Sequence, residues 1–341
     1  MNSTQSISPN IDYSSCLLFD FYTLGLTLSL TSLLGTLGNS LSILTFWPTR
    51  NENSTSLLLL TLAMVDIGVL ITHTVMISPG AFCKYLGSCM TYMNFTFHWM
   101  TAYFWPFGSS FHLASTWLVV LVTFNRFIGV CHPHKFKSWM SVKMMKIQII
   151  IIGAGSFVYN LPRFFDDWVK LSPDGTHFDI YLTKLGSSEV FGYFYNVALY
   201  YIVIYVIPFS GLIYMSVCLA KAIKDAKAKR AQMTRAKKDE HDLTLSLVIV
   251  VIVYMICQIL NPIRRVLFAA IPSSSYRCGN PIIFVTSLGI IINSSINFVI
   301  YCIFSPRFRR QLKGKLRNFN AVAPVAPIPN SVATRSTGAD A

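Results

Sequence analysis

Charge is scarce in this chain. Of 341 residues only 12% are Asp, Glu, Lys or Arg, against about 25% in an ordinary soluble domain. The shortage is concentrated in runs: no charged residue occurs in Phe21–Thr49, Tyr85–Asn125, Val190–Ala220 or Cys278–Pro306. A bilayer core about 30 Å thick is crossed by a helix of about 20 apolar residues. A core buried in water needs no uncharged runs of that length, so a large soluble helical protein is set aside. Met1–Ser15 lacks a basic stretch followed by a short apolar core, so no cleavable signal peptide is expected. No internal repeat is visible, which argues against many transporter folds. The apolar runs hold neither an HExxH motif nor paired aspartates, so enzyme activity is not expected.

What is there is an all-α membrane pattern. Seven spans are expected, at about 18–47, 56–81, 98–130, 145–162, 191–220, 243–270 and 279–303. The third lies in an uncharged stretch too long for one straight span, and the loop-type residues Gly87, Ser88, Asn94 and His98 are expected to form its outer part. Basic residues alternate between loops. One side carries Arg50, Lys135, Lys137, Lys143, Lys146, eight residues between Lys221 and Lys238, and seven from Arg307 to Arg335. The other carries only Lys84, Arg163, Lys170, Lys184 and Arg277. The basic side is expected in the cytosol, which puts the amino terminus outside and the carboxyl terminus inside a plasma-membrane protein. The sequons at Asn2 and Asn94 then face outward as glycosylation sites. Residues 1–17 form an outer segment, 18–318 the membrane domain and 319–341 a disordered cytosolic tail. Within Ser305–Asn318, Phe308, Leu312 and Leu316 recur every four residues among basic ones. That pattern predicts a short amphipathic eighth helix on anionic lipid.

Ionisable groups inside a span are costly and usually have a role. Asp66 lies mid-way along the second span, with Asn39, Ser115, Asn293 and Asn297 at comparable depth. One carboxylate among hydroxyl and amide oxygens suits a sodium ion or a water network. The bland alternative is a protonated Asp bonded to a neighbour as packing glue. Arg126 ends the third span and could by itself simply snorkel to the interface. Pro79, Pro106, Pro162, Pro208 and Pro262 lie in or near the ends of spans and favour kinks.

These residues resemble a known family over roughly 18–318. Gly38-Asn39, Leu62-Ala63-Met64-Val65-Asp66, Asn125-Arg126-Phe127, Pro208, Pro262 and Asn297-Phe298-Val299-Ile300-Tyr301 occur in the order of the rhodopsin-like (class A) G-protein-coupled receptors. Tyr159-Asn160-Leu161-Pro162-Arg163-Phe164-Phe165 and Asn293–Cys302 resemble invertebrate FMRFamide-type neuropeptide receptors. The resemblance implies a seven-helix receptor whose partners are an extracellular peptide, a heterotrimeric G protein and membrane lipid, with no part for nucleic acid. It implies a switch of Asn125, Arg126, Asp242 and Tyr301, and no cofactor beyond an allosteric sodium ion at Asp66. Asp166 and Asp167 belong to a net acidic second outer loop that would draw a cationic peptide. Arg264, Arg265, His112 and Tyr200 are the expected ligand contacts deeper in. The alternatives are a chemosensory receptor for a small ligand and, from another class, a transporter or channel.

Several positions depart from the family pattern. Asn125 replaces an acid, Leu260 a Trp and Ser216 a Tyr. The seventh span has no Lys for retinal, and Gly108 stands about where aminergic receptors place an Asp. The usual disulfide has no Cys in the second outer loop, and Thr101 stands about where its helix partner would be. Cys16, Cys83, Cys89 and Cys278 are the outward candidates instead, and four cysteines allow three pairings.

Overall fold

The structure is a computed structural model and describes residues 13–87, 89, 91–228, 234–264 and 281–321. Seven helices are long and apolar enough to cross a membrane: α1 (Ser14–Thr49), α2 (Ser54–Leu86), α3 (Tyr92–Cys131), α4 (Val142–Phe164), α5 (Phe191–Asp225), α6 (His241–Arg264) and α7 (Pro281–Phe304). An eighth, α8 (Pro306–Ala321), follows. Asn2, Arg265, Cys278 and the tail beyond Ala321 lie outside the described residues. The expected boundary between residues 17 and 18 falls inside a helix that already runs from Tyr13.

Local chemistry sets the helix ends. Asn53 is extended at the start of α2, and its side chain accepts the Thr55 N–H at 2.9 Å, satisfying one of the orphan donors of the first turn. Gly87, at φ 63°, ends the same helix in the left-handed region open to glycine. Ser141 starts α4 by accepting from Met144 N. The third helix differs from expectation. It begins at Tyr92, so Asn94 and His98 are helical rather than part of a loop. The segment is uncharged and aromatic, and π-type winding at Tyr92–Thr96 and Met100–Phe104 carries it into the main α-helix at Trp105. Among the described residues, the one feature outside an all-α reading is a hairpin after α4. Strand β1 (Asp167–Leu171) pairs antiparallel with β2 (Phe178–Leu182), Val169 opposite Ile180.

The bundle is built around α3, which packs against α2, α4, α5 and α6, while α7 touches α1, α2 and α6. Leu58, Leu62, Leu118, Leu212, Leu247, Val251 and Tyr254 form one buried cluster. Leu30, Leu33, Leu34 and Leu37 remain exposed on α1, the face that lipid covers. Apolar side chains gain little by leaving lipid for one another, so close approach and polar contacts must hold such helices together. Gly35 provides one close approach, because a methyl there would overlap Ser295 on α7. Gly289 provides another, because a methyl there would come within 2.8 Å of the Cys257 carbonyl oxygen. At the end of the bundle far from the hairpin, Phe308 of α8 is buried against Phe46, Phe298 and Tyr301, with ring centroids at 5.3, 5.9 and 5.7 Å.

Gly35→Leu should therefore pry α1 from α7 at a cost of about 1–3 kcal/mol, read as a shorter thermal half-life in detergent. Gly153→Ala, at a position with no neighbouring atoms within 4 Å, should leave the half-life equal or longer.

Candidate functional site

Asp66 is wholly buried mid-way along α2. Its Oδ1 accepts from Ser115 Oγ of α3 at 2.7 Å, and its Oδ2 from Asn297 Nδ2 of α7 at 2.8 Å. Asn39 of α1 joins the same layer by donating to the Ser294 carbonyl at 2.7 Å and the Gly35 carbonyl at 3.0 Å. One carboxylate thus ties three helices, and an amide brings in a fourth. Asn39 Oδ1, Asn297 Oδ1 and the Tyr301 hydroxyl are buried with no hydrogen-bond partner among the described residues. Oxygens left over beside a carboxylate fit ordered water or a hard cation. Asn293 is buried one helical turn from Asn297, but the described hydrogen bonds do not tie it to Asp66.

Toward the hairpin, the bundle opens into a cavity of about 280 Å³. His73, His112, Arg163, Asn261 and Arg264 supply its polar lining, and Trp105, Tyr159 and Tyr200 its aromatic walls. No Asp or Glu lines it among the described residues. His112 Nε2 lies 2.8 Å from Gln258 Nε2, and Gln258 Oε1 accepts from Asn261 Nδ2 at 2.9 Å. His73 is buried, with no hydrogen-bond partner for Nδ1 among the described residues. An unsatisfied buried imidazole nitrogen costs stability unless something in the cavity bonds it.

Beside the cavity stand Asp166 and Asp167. Burial and the neighbouring Asp167 charge push the Asp166 carboxyl up to about 6, against the pull of Arg163. Burial also raises Asp167, which lines a separate shallow hollow with Trp168, Lys170 and Lys184. Arg163 stacks at 5.3 Å over the Tyr195 ring of α5, so it spans the basic cavity and the acidic rim.

At the far end, Arg126 and Asn125 are buried. Asn125 Oδ1 accepts from Thr55 Oγ1 at 3.0 Å and from Arg126 Nη2 at 3.3 Å, and its Nδ2 donates to Ser54 Oγ at 3.3 Å. The amide therefore locks α3 to the first turn of α2 and still orients the arginine. Arg126 faces a second cavity of about 560 Å³ with Asn53, Met140, Leu243 and Arg307. Asp242 is buried on α6, 3.4 Å from His241 Nδ1. One turn earlier, on the helix that begins at Arg235, Asp239 pairs with Arg310 of α8.

Residues 38–301 match the family described as 7 transmembrane receptor (rhodopsin family). The chain belongs to that family. It is similar to the FMRFamide receptor of Drosophila melanogaster, 29% identical over 296 residues that cover 85% of this chain and 53% of that protein. It is similar to an FMRFamide peptide receptor of Caenorhabditis elegans, 25% identical over 295 residues, 84% of this chain and 67% of that protein. The sex peptide receptor of Drosophila melanogaster is 25% identical over 228 residues, 59% of this chain and 51% of that protein. The chain thus spans about half the length of two of these three relatives.

The structure gathers the sequence-derived residues of this rhodopsin-family receptor into three layers. Asn39, Asp66, Ser115 and Asn297 meet at mid-bundle. His112, Tyr200 and Arg264 share the upper cavity. Asn125, Arg126 and Asp242 lie at the far end, and Tyr301 is buried between that end and Asp66. Asn94 donates to the Thr176 carbonyl at 3.4 Å. Sequence reading missed His73, Gln258 and Asn261. His73 follows Asp66 by seven residues and so sits on the same helix face two turns on, and Gln258 and Asn261 are three apart on one face. Polar residues at those spacings in otherwise apolar spans were the available signal. Ser54 and Thr55 carried none, because hydroxyls at a helix start read only as capping.

Asn125→Ala should strand the buried hydroxyls of Ser54 and Thr55 and loosen Arg126, at about 1–3 kcal/mol. The unliganded receptor should lose thermal half-life in detergent, and Asn125→Asp should restore most of it.

Proposed function

We propose that this chain is a plasma-membrane G-protein-coupled receptor for a neuropeptide of the Arg-Phe-amide type. The hairpin end faces outward and the Arg126 end faces the cytosol. The observation that carries this reading is the polarity of the ligand cavity: basic and acid-free at depth, acidic at the rim. A cationic peptide cannot place its arginine among Arg163, Arg264, His73 and His112. It can place there a terminal carboxamide, whose carbonyl oxygen accepts from these donors. Its phenyl ring then meets Trp105, Tyr159 and Tyr200, and its arginine stays at Asp166 and Asp167. Likeness to two FMRFamide receptors supports the same ligand class.

Such a ligand acts by binding one helix arrangement better than another. The cavity wall includes Asn261 and Arg264 of α6, so occupancy bears directly on the helix that carries Asp239 and Asp242 at its other end. Movement of α6 at that end would uncover Arg126 for a G protein. A sodium ion at Asp66, held with oxygens of Ser115, Asn39 and Asn297, would favour the resting packing of α2, α3 and α7.

The direct test is a screen of amidated peptides ending in Arg-Phe on cells expressing the chain, with nucleotide exchange on a G protein as readout. Activation by amidated peptides and not by their free acids supports the reading. Response only to small non-peptide ligands would replace it with a chemosensory receptor, and ligand-coupled flux without nucleotide exchange with a transporter. Asp166→Asn with Asp167→Asn should weaken an active cationic peptide about two- to ten-fold. The loss should shrink at high salt, since exposed charges are screened over about 8 Å at physiological ionic strength. A raised carboxyl pKa means that the rim is charged above it and neutral below. Peptide potency should accordingly fall as pH drops through about 6, and the double variant should not show that fall. Asp66→Asn should abolish any sodium effect on agonist affinity while surface expression persists; an unchanged sodium effect would remove the ion from this site.

A further inference from the structure

Cys83 and Cys89 are free thiols near enough to share a side-chain hydrogen bond. The backbone puts them there. Cys83 stands in the last turn of α2, and the Gly87 N–H bonds its carbonyl at 3.0 Å as the chain reverses. Two residues on, Cys89 has returned beside it, and its carbonyl accepts from Met93 N at 3.1 Å as α3 begins. Cys83 is buried and Cys89 half-buried. Cys16, another of the outward candidates, is already held in a disulfide. The turn has no covalent tie among the described residues, and Thr101 spends its hydroxyl on the Phe97 carbonyl at 2.9 Å.

We propose that Cys83 and Cys89 are a disulfide-forming pair that closes the turn between α2 and α3. The proposal rests on the orientation given above, which puts both thiols in the oxidising secretory compartment. The co-reactant is the disulfide of a thiol oxidoreductase. The more exposed Cys89 loses its proton, and its thiolate attacks that disulfide. A mixed disulfide forms and one oxidoreductase thiolate leaves. Cys83, deprotonated in turn, attacks the Cys89 sulfur, the internal S–S bond forms, and the second oxidoreductase thiolate departs. The receptor gives up two protons and two electrons, and the oxidoreductase leaves as its dithiol. Contact between the thiols already supplies the reach such a bond needs. A bridge here fixes the entry of α3, the helix whose Trp105 walls the ligand cavity.

The test is peptide mapping of the full-length receptor from insect cells, alkylated with iodoacetamide in denaturant without reductant. Lys84 lies between the two cysteines, so trypsin leaves fragments joined only through sulfur. The expected product is a linked Cys83–Cys89 pair lighter by two hydrogens than the dithiol, which reductant separates into two alkylatable peptides. Alkylation of both residues without reductant overturns the proposal, as does a link from either to another cysteine. An amino-terminal epitope stained on unpermeabilised cells reads orientation separately. A stained surface with both thiols alkylated refutes the bridge alone, and an unstained one refutes the orientation as well. Cys83→Ser, Cys89→Ser and the double change should shorten thermal half-life equally; losses that add would show two independent packing contacts and no bond.

Discussion

A carboxylate far from water has to be satisfied by its own protein, and Asp66 is satisfied from two other helices at once. Ser115 and Asn297 each give it one hydrogen bond. Removing α3 or α7 from position would strand a buried acid, a cost of several kcal/mol in hydrocarbon. The apolar contacts of the bundle are numerous but indifferent to small slides, because lipid is as good a neighbour as another Leu. The Asp66 layer is directional. It fixes the relative depth of α2, α3 and α7, and the cavity above and the arginine below inherit their geometry from that register.

The two polar ends are built by different rules. Toward the hairpin, the basic side chains His73, His112, Arg163 and Arg264 converge on one cavity, and Asp166 and Asp167 are not among the described residues lining it. Toward Arg126, the bundle is stitched by short-range pairs, Asn125 with Thr55 and Ser54 in the interior and Asp239 with Arg310 nearer the surface. A cavity lined by basic groups is ready to receive a ligand. Of the pairs toward Arg126, the partly exposed Asp239–Arg310 pair opens most readily, since such ion pairs contribute only about 0–1 kcal/mol.

Much of this was legible in the residues. The uncharged runs marked the spans, because hydrocarbon leaves few alternatives to a helix. Asp66 marked its own layer, since a lone acid in such a run requires partners, and Asn39, Ser115 and Asn297 were the polar groups at its depth. The hairpin Asp167–Leu182 was not legible, because a short strand pair between long spans carries no periodicity that outweighs its polar loop composition. The start of α3 was misplaced for a related reason: Asn94 and His98 look like loop residues until the aromatic surface around them is counted. The contacts of Asn125 were not legible: the residues show only that it replaces an acid, whereas its amide accepts from Arg126 and Thr55 while donating to Ser54, which a carboxylate cannot do.

Phe298 has a mechanical consequence. It keeps its backbone N–H, as a proline there would not, and α7 runs unbroken from Pro281 to Phe304. Its ring also lies on Gly38 of α1 and on Phe308 of α8. A helix without a weak joint transmits torque instead of absorbing it. Any turn of α7 about its axis is therefore geared through one aromatic knuckle to α8, and the basic surface of α8 must sweep along the headgroups as it goes.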